Sequence, residues 1–445
     1  MYEGEKMENK NLKKEISLFM ATMLVCGNMI GSGVFMLPST LAQVSGPIPT
    51  LIAWILTTVG SILIAISFAN LGSKYPSTGG AYQYTKLAFG EFTGFLSAWL
   101  YWNGSWIGNA AIVVALASYT SAVIPALNNP IISIVFTSGV LWIITLINIM
   151  GVKKAGKIQT FATVFKIVFF AIFIIVAFIN FDSANLIQAI PKDKGLSTIP
   201  LAAASTLWAF VGLESATVTA GEIKDPEKNV RKSTIYGMII ASIIYILISL
   251  GSMGVMSNAD LSVSSAPLTD ILTIALGSSV GKVLSVAVAV CILGTTIGWI
   301  LSTARVSYAA GIDGVFPKFF GKIHPKYQTP VNSLVIGSVL VNILLIMNFQ
   351  KSMVSAFTFI TLLATLSFLP VYLLSIGAEI MLMFKDEAEF NLMIFLKKSA
   401  LALLAFAYTI WAIYGSGAET VMWGFILMLL GIPFYVYNYH KNKYA

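Results

Sequence analysis

The sequence predicts an all-α, polytopic membrane protein with twelve transmembrane helices. Three observations lead there. Of its 445 residues, 57% are hydrophobic and only 10% charged, with a mean hydropathy of +0.84, whereas a soluble domain carries about a quarter charged residues. Twelve stretches each approach the roughly 20 apolar residues that a bilayer core of about 30 Å demands. Lys and Arg alternate between poor and rich loops along the chain. This composition excludes an ordinary cytosolic enzyme and also a disordered chain, which has too little apolar surface to bury. Length alone would suggest roughly three soluble domains; the apolar content points instead to one helical domain. Cys26 and Cys291 both lie in apolar stretches and offer neither a disulfide framework nor zinc spacing. His324 and His440 sit in polar flanks, so no histidine cluster for a metal or haem is expected inside the membrane.

The spans are predicted at 16–39, 47–72, 90–124, 130–151, 160–181, 197–220, 234–256, 280–304, 330–349, 354–383, 396–414 and 420–439. No cleavable signal peptide is expected, because a short N-terminus of mixed charge runs straight into a full-length span. Basic residues gather in loops that stay cytoplasmic. With the N-terminus inside, the inner segments hold Lys6 to Lys14, Lys74 and Lys86, Lys153 to Lys157, Lys224 to Lys232, Arg305 to Lys326, Lys385 to Lys398, and Lys441 with Lys443. These are 22 basic residues, against 4 outside: Lys192, Lys194, Lys282 and Lys351. The alternation supports an even number of spans with both termini cytoplasmic. It also accounts for the net charge of +8 without any nucleic acid.

Two spans cannot be regular helices. Span 1 reads Asn28-Met29-Ile30-Gly31-Ser32-Gly33-Val34-Phe35, with Pro38 soon after. Two glycines around a serine weaken a helix and permit close backbone approach. Open backbone at membrane depth is tolerated only where it is buried in protein or lines a cavity. Gly31-Ser32-Gly33 therefore marks either a tight helix crossing or a broken helix. Span 6 carries a related interruption, Trp208-Ala209-Phe210-Val211-Gly212-Leu213-Glu214-Ser215. Interruptions in the first and sixth spans suit spans 1–5 and 6–10 as inverted repeats, and such pairs point to a transporter binding site. The pairing favours the break.

A break has a definite chemistry. The half-helix starting after Gly33 would offer unpaired N–H groups and a positive dipole end, which suit a carboxylate. The half-helix ending before the break would offer free carbonyls, which suit an ammonium. Together they describe a receptor for an α-amino acid backbone, or for a cation alone.

With these residues in view, a resemblance emerges. Asn28 to Pro38, the run Tyr101-Trp102-Asn103-Gly104-Ser105-Trp106-Ile107-Gly108-Asn109, Leu207 to Ser215 followed by Asp225-Pro226-Glu227-Lys228-Asn229-Val230, and Gly298-Trp299 with Asp313-Gly314-Val315-Phe316-Pro317 resemble the amino acid–polyamine–organocation superfamily. Within it the chain is most similar to the basic amino acid/polyamine antiporters, especially the arginine:agmatine exchangers. The likeness extends to Gly415-Ser416-Gly417-Ala418-Glu419 before span 12. It implies a LeuT-type fold of 5+5 inverted repeats with two additional C-terminal helices. The division would be a cytoplasmic tail at 1–15, a transport core at 16–383, and spans 11–12 with a cytoplasmic tail at 384–445.

The resemblance also implies site residues. Met29, Ser32 and Gly33 would hold the substrate carboxylate and α-amino group, with backbone carbonyls from Trp208 and Val211. Trp299 would lie against the guanidinium, which Asn109, Gly104 and Ser105 would hydrogen-bond, and Ile112 would line the aliphatic stem. Glu214 would be the acid-sensing or proton-linked carboxylate, and Tyr101 and Trp208 would help gate the two sides. The chain departs from the pattern twice. A serine of span 10 has no clear counterpart, with Thr361 and Thr365 as nearby candidates, and Asn103 stands where an apolar residue is usual.

Each assignment has a structural alternative. A mid-span carboxylate is functional by default, yet Glu214 could simply bond Ser215 or the broken backbone of span 1. Trp299 could be a packing or interface residue, and Asn109 could glue helices together. Glu222 opens a charged loop and Glu379 approaches the end of span 10, so both are expected to be solvated. Glu91 and Lys166 are expected near an interface, where Lys166 can snorkel.

The expected function is exchange of an external basic amino acid, arginine first, for its internal amine, agmatine first, by alternating access. Lysine/cadaverine exchange, ornithine/putrescine exchange and proton-coupled amino acid uptake are the alternatives. Without an ATP-binding motif, transport would run on coupled gradients, with no cofactor and no enzymatic activity. Exchange for a more cationic amine, paired with a cytoplasmic decarboxylase, would serve acid resistance in the cell membrane. A homodimer through spans 11 and 12 follows from the resemblance alone.

Overall fold

The computed structural model describes residues 14–121, 123–187, 195–264, 266–348, 353–385 and 391–443. Lys6, Lys10, Lys13, Lys192, Lys194 and Lys351 lie outside them, as does most of the expected 1–15 tail. All twelve apolar segments carry helix. The first span is split into α1 (Leu18–Met29) and α2 (Ser32–Val44), and α3 (Pro47–Lys74) is the second. A short α4 (Ala81–Phe89) leads into the third, α5 (Glu91–Ser121), and the fourth and fifth are α6 (Pro130–Ile149) and α7 (Val152–Ile179). After α8 (Ala184–Ile187), the sixth span is split into α9 (Ile199–Phe210) and α10 (Ser215–Val218). Then come α11 (Pro226–Val255), the short α12 (Asn258–Val263) and α13 (Pro267–Leu276), and α14 (Ser278–Ile312). The last four spans are α15 (Val331–Asn348), α16 (Met353–Phe384), α17 (Leu392–Gly415) and α18 (Ala418–Lys443).

Among the described residues, nine segments are long and apolar enough to cross a bilayer on that basis alone. The other three have identifiable reasons to fall short. Polar residues such as Asn103, Ser105 and Asn109 dilute α5, the sixth span is interrupted, and α15 has only 18 residues.

Helix starts follow local chemistry. The Asn129 side chain accepts from Ile131 N and Ile132 N ahead of Pro130, and Asn391 caps α17 through Met393 N and Ile394 N. Such caps satisfy N–H groups that no helix can satisfy for itself. Central α5 packs on α14 and α16, while α1 packs on α7 and α11. The outer helices α17 and α18 bury only 22% and 11% of their apolar windows, so most of their surface faces outward.

Candidate functional site

The second half-helix of the first span starts two residues earlier than expected. Met29 ends α1, Ile30 leaves the helical conformation, and α2 begins at Ser32 rather than after Gly33. Gly31 occupies the N-cap and makes no side-chain cap. The first-turn N–H groups of α2 are therefore those of Ser32 and Gly33 themselves, with no intrahelical partner. The Ser32 hydroxyl is also buried without a hydrogen-bond partner.

The sixth span breaks at Val211–Glu214, where Val211 is extended and Gly212 takes φ +113°. That conformation is one L side chains rarely adopt. A Cβ on Gly212 would also lie 3.1 Å from Met29 N and from the Asn28 carbonyl carbon. The two breaks thus touch backbone to backbone.

Between them lies a cavity lined by Asn28, Met29, Gly31, Ser32, Gly33, Ile112, Trp208, Val211 and Trp299. Seven sequence-predicted residues meet there: Met29, Ser32, Gly33, Ile112, Trp208, Val211 and Trp299. Its volume is about 10 Å³, room for roughly one water. This is a closed arrangement, and an amino acid must spread the walls to enter. The Trp208 ring lies between spans 1 and 3, so close that a Cβ on Gly33 would sit 3.0 Å from its Cδ1 and one on Gly108 2.9 Å from its Cη2. Trp299 is turned inward from α14. Its Nε1 donates to Asn28 O at 2.9 Å, and its ring meets Phe368 edge-on at 5.7 Å.

The carbonyl end of α1 differs from expectation. The sequence predicts free carbonyls there for a substrate ammonium and a Lys166 near an interface. Instead Lys166 is fully buried on α7, 0% exposed. Its Nζ donates to Ile30 O, to Gly27 O at 3.3 Å and to Thr295 Oγ1 at 2.6 Å. The chain supplies its own cation to these acceptors. Asn28 O is taken by Trp299, Met29 O by Gly31 N at 2.7 Å, and Trp208 O by Val211 N at 3.3 Å. A carbonyl oxygen has a second lone pair, so Met29 O and Trp208 O keep one acceptor site each.

Other predicted residues stand away from the cavity lining. Asn109 lies one turn from Ile112 along α5; its Nδ2 donates to Thr303 Oγ1 at 3.1 Å, while its Oδ1 is buried without a partner. The Ser105 hydroxyl donates to Tyr101 O at 2.7 Å. Gly104 serves a close crossing, since a Cβ there would lie 2.9 Å from that of Ser367. Thr365 donates to Thr361 O at 2.8 Å within α16, and neither threonine lines the cavity.

A polar layer lies toward the end of the bundle where α1 begins. Glu214 accepts from Tyr101 OH at 2.9 Å, Tyr372 OH at 2.8 Å and Gly212 N at 3.2 Å. Tyr372 was not anticipated, because a tyrosine in an apolar span gives no distinguishing signal. The alternative bond from Glu214 to Ser215 is not made; the Ser215 hydroxyl accepts from Asn28 instead.

A second layer follows on the same side and corrects two further expectations. Glu222 is not solvated. It is 1% exposed and receives Arg305 Nε at 3.0 Å and Nη2 at 2.7 Å in a bidentate pair, with Arg305 itself 0% exposed. The segment before α1 is strapped to this turn through Ile16 N to Glu222 O and Lys224 N to Ile16 O, both 2.9 Å. Glu379 is likewise buried and accepts from Asn70 Nδ2 at 2.8 Å. Nearby, Asp313 accepts from Tyr82 OH at 2.6 Å and Lys86 Nζ at 2.7 Å. Burial, reinforced by the Asp313 charge, pushes the Tyr82 phenol on α4 well up from its ordinary value.

Comparison with known proteins fits this geometry. Residues 16–436 match the amino acid permease family. The chain is 31% identical to a putative arginine/ornithine antiporter of Bacillus subtilis (strain 168), over 97% of this chain and 99% of the relative. It is 29% identical to the arginine/ornithine antiporter of Pseudomonas aeruginosa, over 96% and 92%. It is 30% identical to the putrescine transporter PotE of Escherichia coli (strain K12), over 93% and 94%.

Proposed function

Because the chain belongs to the amino acid permease family, we propose that it exchanges a basic amino acid for an internal amine by alternating access between the two faces of the cell membrane. One observation carries this reading: the cavity joins the free N–H end of α2 to the inward-turned indoles of Trp208 and Trp299. The N–H end suits a carboxylate and an indole face suits a cation. A zwitterion with a cationic tail uses both. Arginine leads as amino acid and agmatine as amine, with lysine/cadaverine and ornithine/putrescine next. The basic-residue asymmetry supports cytoplasmic termini, and the breaks in spans 1 and 6 support inverted repeats. The outward surfaces of α17 and α18 suit a homodimer. Exchange for a more cationic amine exports charge, which suits pairing with a cytoplasmic decarboxylase.

The printed names of two relatives favour a second reading, arginine/ornithine exchange. It differs chemically, because both partners then bring a carboxylate to α2. In proteoliposomes, uptake of labelled arginine is expected only when agmatine, ornithine, cadaverine or putrescine is inside. Agmatine supporting the fastest uptake fits the first reading, and ornithine the second. Uptake into vesicles with no internal substrate would rule out obligate exchange.

Trp299→Leu is expected to weaken arginine binding roughly 2- to 30-fold, the equivalent of about 0.5–2 kcal/mol for a cation over an indole. The protein should still fold, since Leu also fills apolar space. Unchanged affinity in direct binding measurements would remove Trp299 from the pocket.

A further inference from the structure

The Asn28 side chain is a junction of four spans. Its Oδ1 accepts from Gln159 Nε2 of α7 at 2.9 Å. Its Nδ2 donates to Ser215 Oγ at the sixth-span break, 2.8 Å, and to Ser302 Oγ of α14, 3.2 Å. Its own carbonyl receives the Trp299 indole. An amide has two donor hydrogens, so Nδ2 is fully used. Among the described residues, only Gln159 donates to the side-chain oxygen.

The Gln159 contact crosses a gap made by one missing side chain. A Cβ on Gly298 would lie 2.0 Å from Gln159 Nε2 and 2.1 Å from Asn28 Oδ1. Gly298 immediately precedes Trp299, so the notch that admits the amide pair adjoins the residue facing the cavity. Gln159 is itself buried, and its Oε1 has no partner. A buried orphan acceptor is costly and asks for an explanation. The explanation here is orientation: Gln159 is held with its donor toward Asn28.

We propose that Gln159, which does not line the cavity, is a positioning residue for substrate recognition: through Asn28 it fixes the first-span break, the sixth-span break and the Trp299 indole relative to one another. The inference rests on the exchange reading only in naming what the cavity binds. The link is amide to amide and does not titrate. The titratable groups around this crossing are Lys166 on α7, Cys26 on α1, Cys291 on α14 and Glu214 at the sixth-span break.

The test uses purified full-length protein with Gln159→Leu and Gln159→Glu. Equilibrium binding is measured with whichever amino acid the parent exchanges. Each value is taken as a ratio to the parent at the same pH, so the Glu214 response cancels. Gln159→Leu is expected to bind about tenfold more weakly at every pH, the scale of leaving one buried acceptor unmade. Gln159→Glu is expected to lose as much at neutral pH, where a carboxylate faces Asn28 Oδ1. It should recover toward the parent in acid, where the carboxyl O–H restores the donor. Leucine and methionine are close to glutamine in size and keep the packing but carry no donor, so a loss in Gln159→Leu together with acid recovery in Gln159→Glu marks the donor. Should Gln159→Leu fail to fold, Gln159→Met takes its place. Parent-level affinity in the variants, or a loss in Gln159→Glu without acid recovery, overturns the proposal. A parent that exchanges no basic amino acid or amine overturns the functional reading instead and leaves the ratios interpretable.

Discussion

Lys166→Met is expected to weaken amino acid binding by roughly 5- to 150-fold while leaving thermal stability at or above that of the parent. The two effects part company for a physical reason. The ammonium holds both Gly27 O and Ile30 O. The Thr295 hydroxyl can reach either, at 3.1 and 3.2 Å, but has a single hydrogen to give. Removing the ammonium therefore orphans one buried carbonyl, worth about 1–3 kcal/mol, beside the break that shapes the cavity. Against this, burying an ammonium that has no anionic partner among the described residues is itself expensive, and a methionine of similar length removes that cost. Stability should hold while geometry suffers. Paired thermal-shift and binding measurements check this, and parent-level affinity would show that the break needs no internal cation.

Glu214→Gln is expected to make exchange independent of pH. In the structure Glu214 accepts from Tyr101, Tyr372 and Gly212 N. Only an ionised carboxylate accepts on both oxygens without presenting a hydrogen of its own. Protonation puts an O–H among three donors and forfeits part of this charge-assisted bonding, which is worth about 1.5–3 kcal/mol per bond. The sign follows: the layer is tightest at high pH and loosens as pH falls, so the parent should exchange faster in acid, by tenfold or so if about 1.4 kcal/mol is released. Glutamine permanently carries donor hydrogens where the protonated acid has one, and so behaves as the acid form at every pH. Initial rates across the pH range in proteoliposomes provide the check. A profile parallel to the parent's would take proton sensing away from Glu214.

The fold was legible because lipid leaves little freedom. A long apolar stretch has to close its backbone hydrogen bonds within itself, so twelve stretches of sequence became twelve helical segments. The breaks were legible from their pairing: glycines beside polar residues also serve close crossings, as Gly104 does in unbroken α5, but interruptions in the first and sixth spans together point to a binding site. Even so, the second half-helix of the first span starts two residues before the expected position. Gly31 takes the irregular conformation, and Ser32 already belongs to the helix. The resemblance supplied the indoles and Ile112, which periodicity alone would have left as core.

Long-range polar pairings were not legible. Lys166, read as snorkelling, finds its acceptors more than 120 residues away in the chain. A signal did exist. Gln159, Thr163 and Lys166 are spaced four and three apart, one polar stripe on a helix face, and a stripe in an otherwise apolar span calls for a polar partner inside the bundle. Glu222 and Arg305 were each counted as loop charges. Nothing local to either shows that they meet across 83 residues.

Their union shapes how this end of the molecule can part. Both ions have surrendered their hydration, and Arg305 Nη1 still lacks a partner. Pulling a sealed pair apart in a dry corner would be prohibitive, but the first water to enter solvates both charges and the stranded nitrogen together. Wetting is thus a counterweight to separation: the seam resists while dry and yields once moist. Dissolved salt cannot soften it beforehand, because mobile ions screen only where they can go.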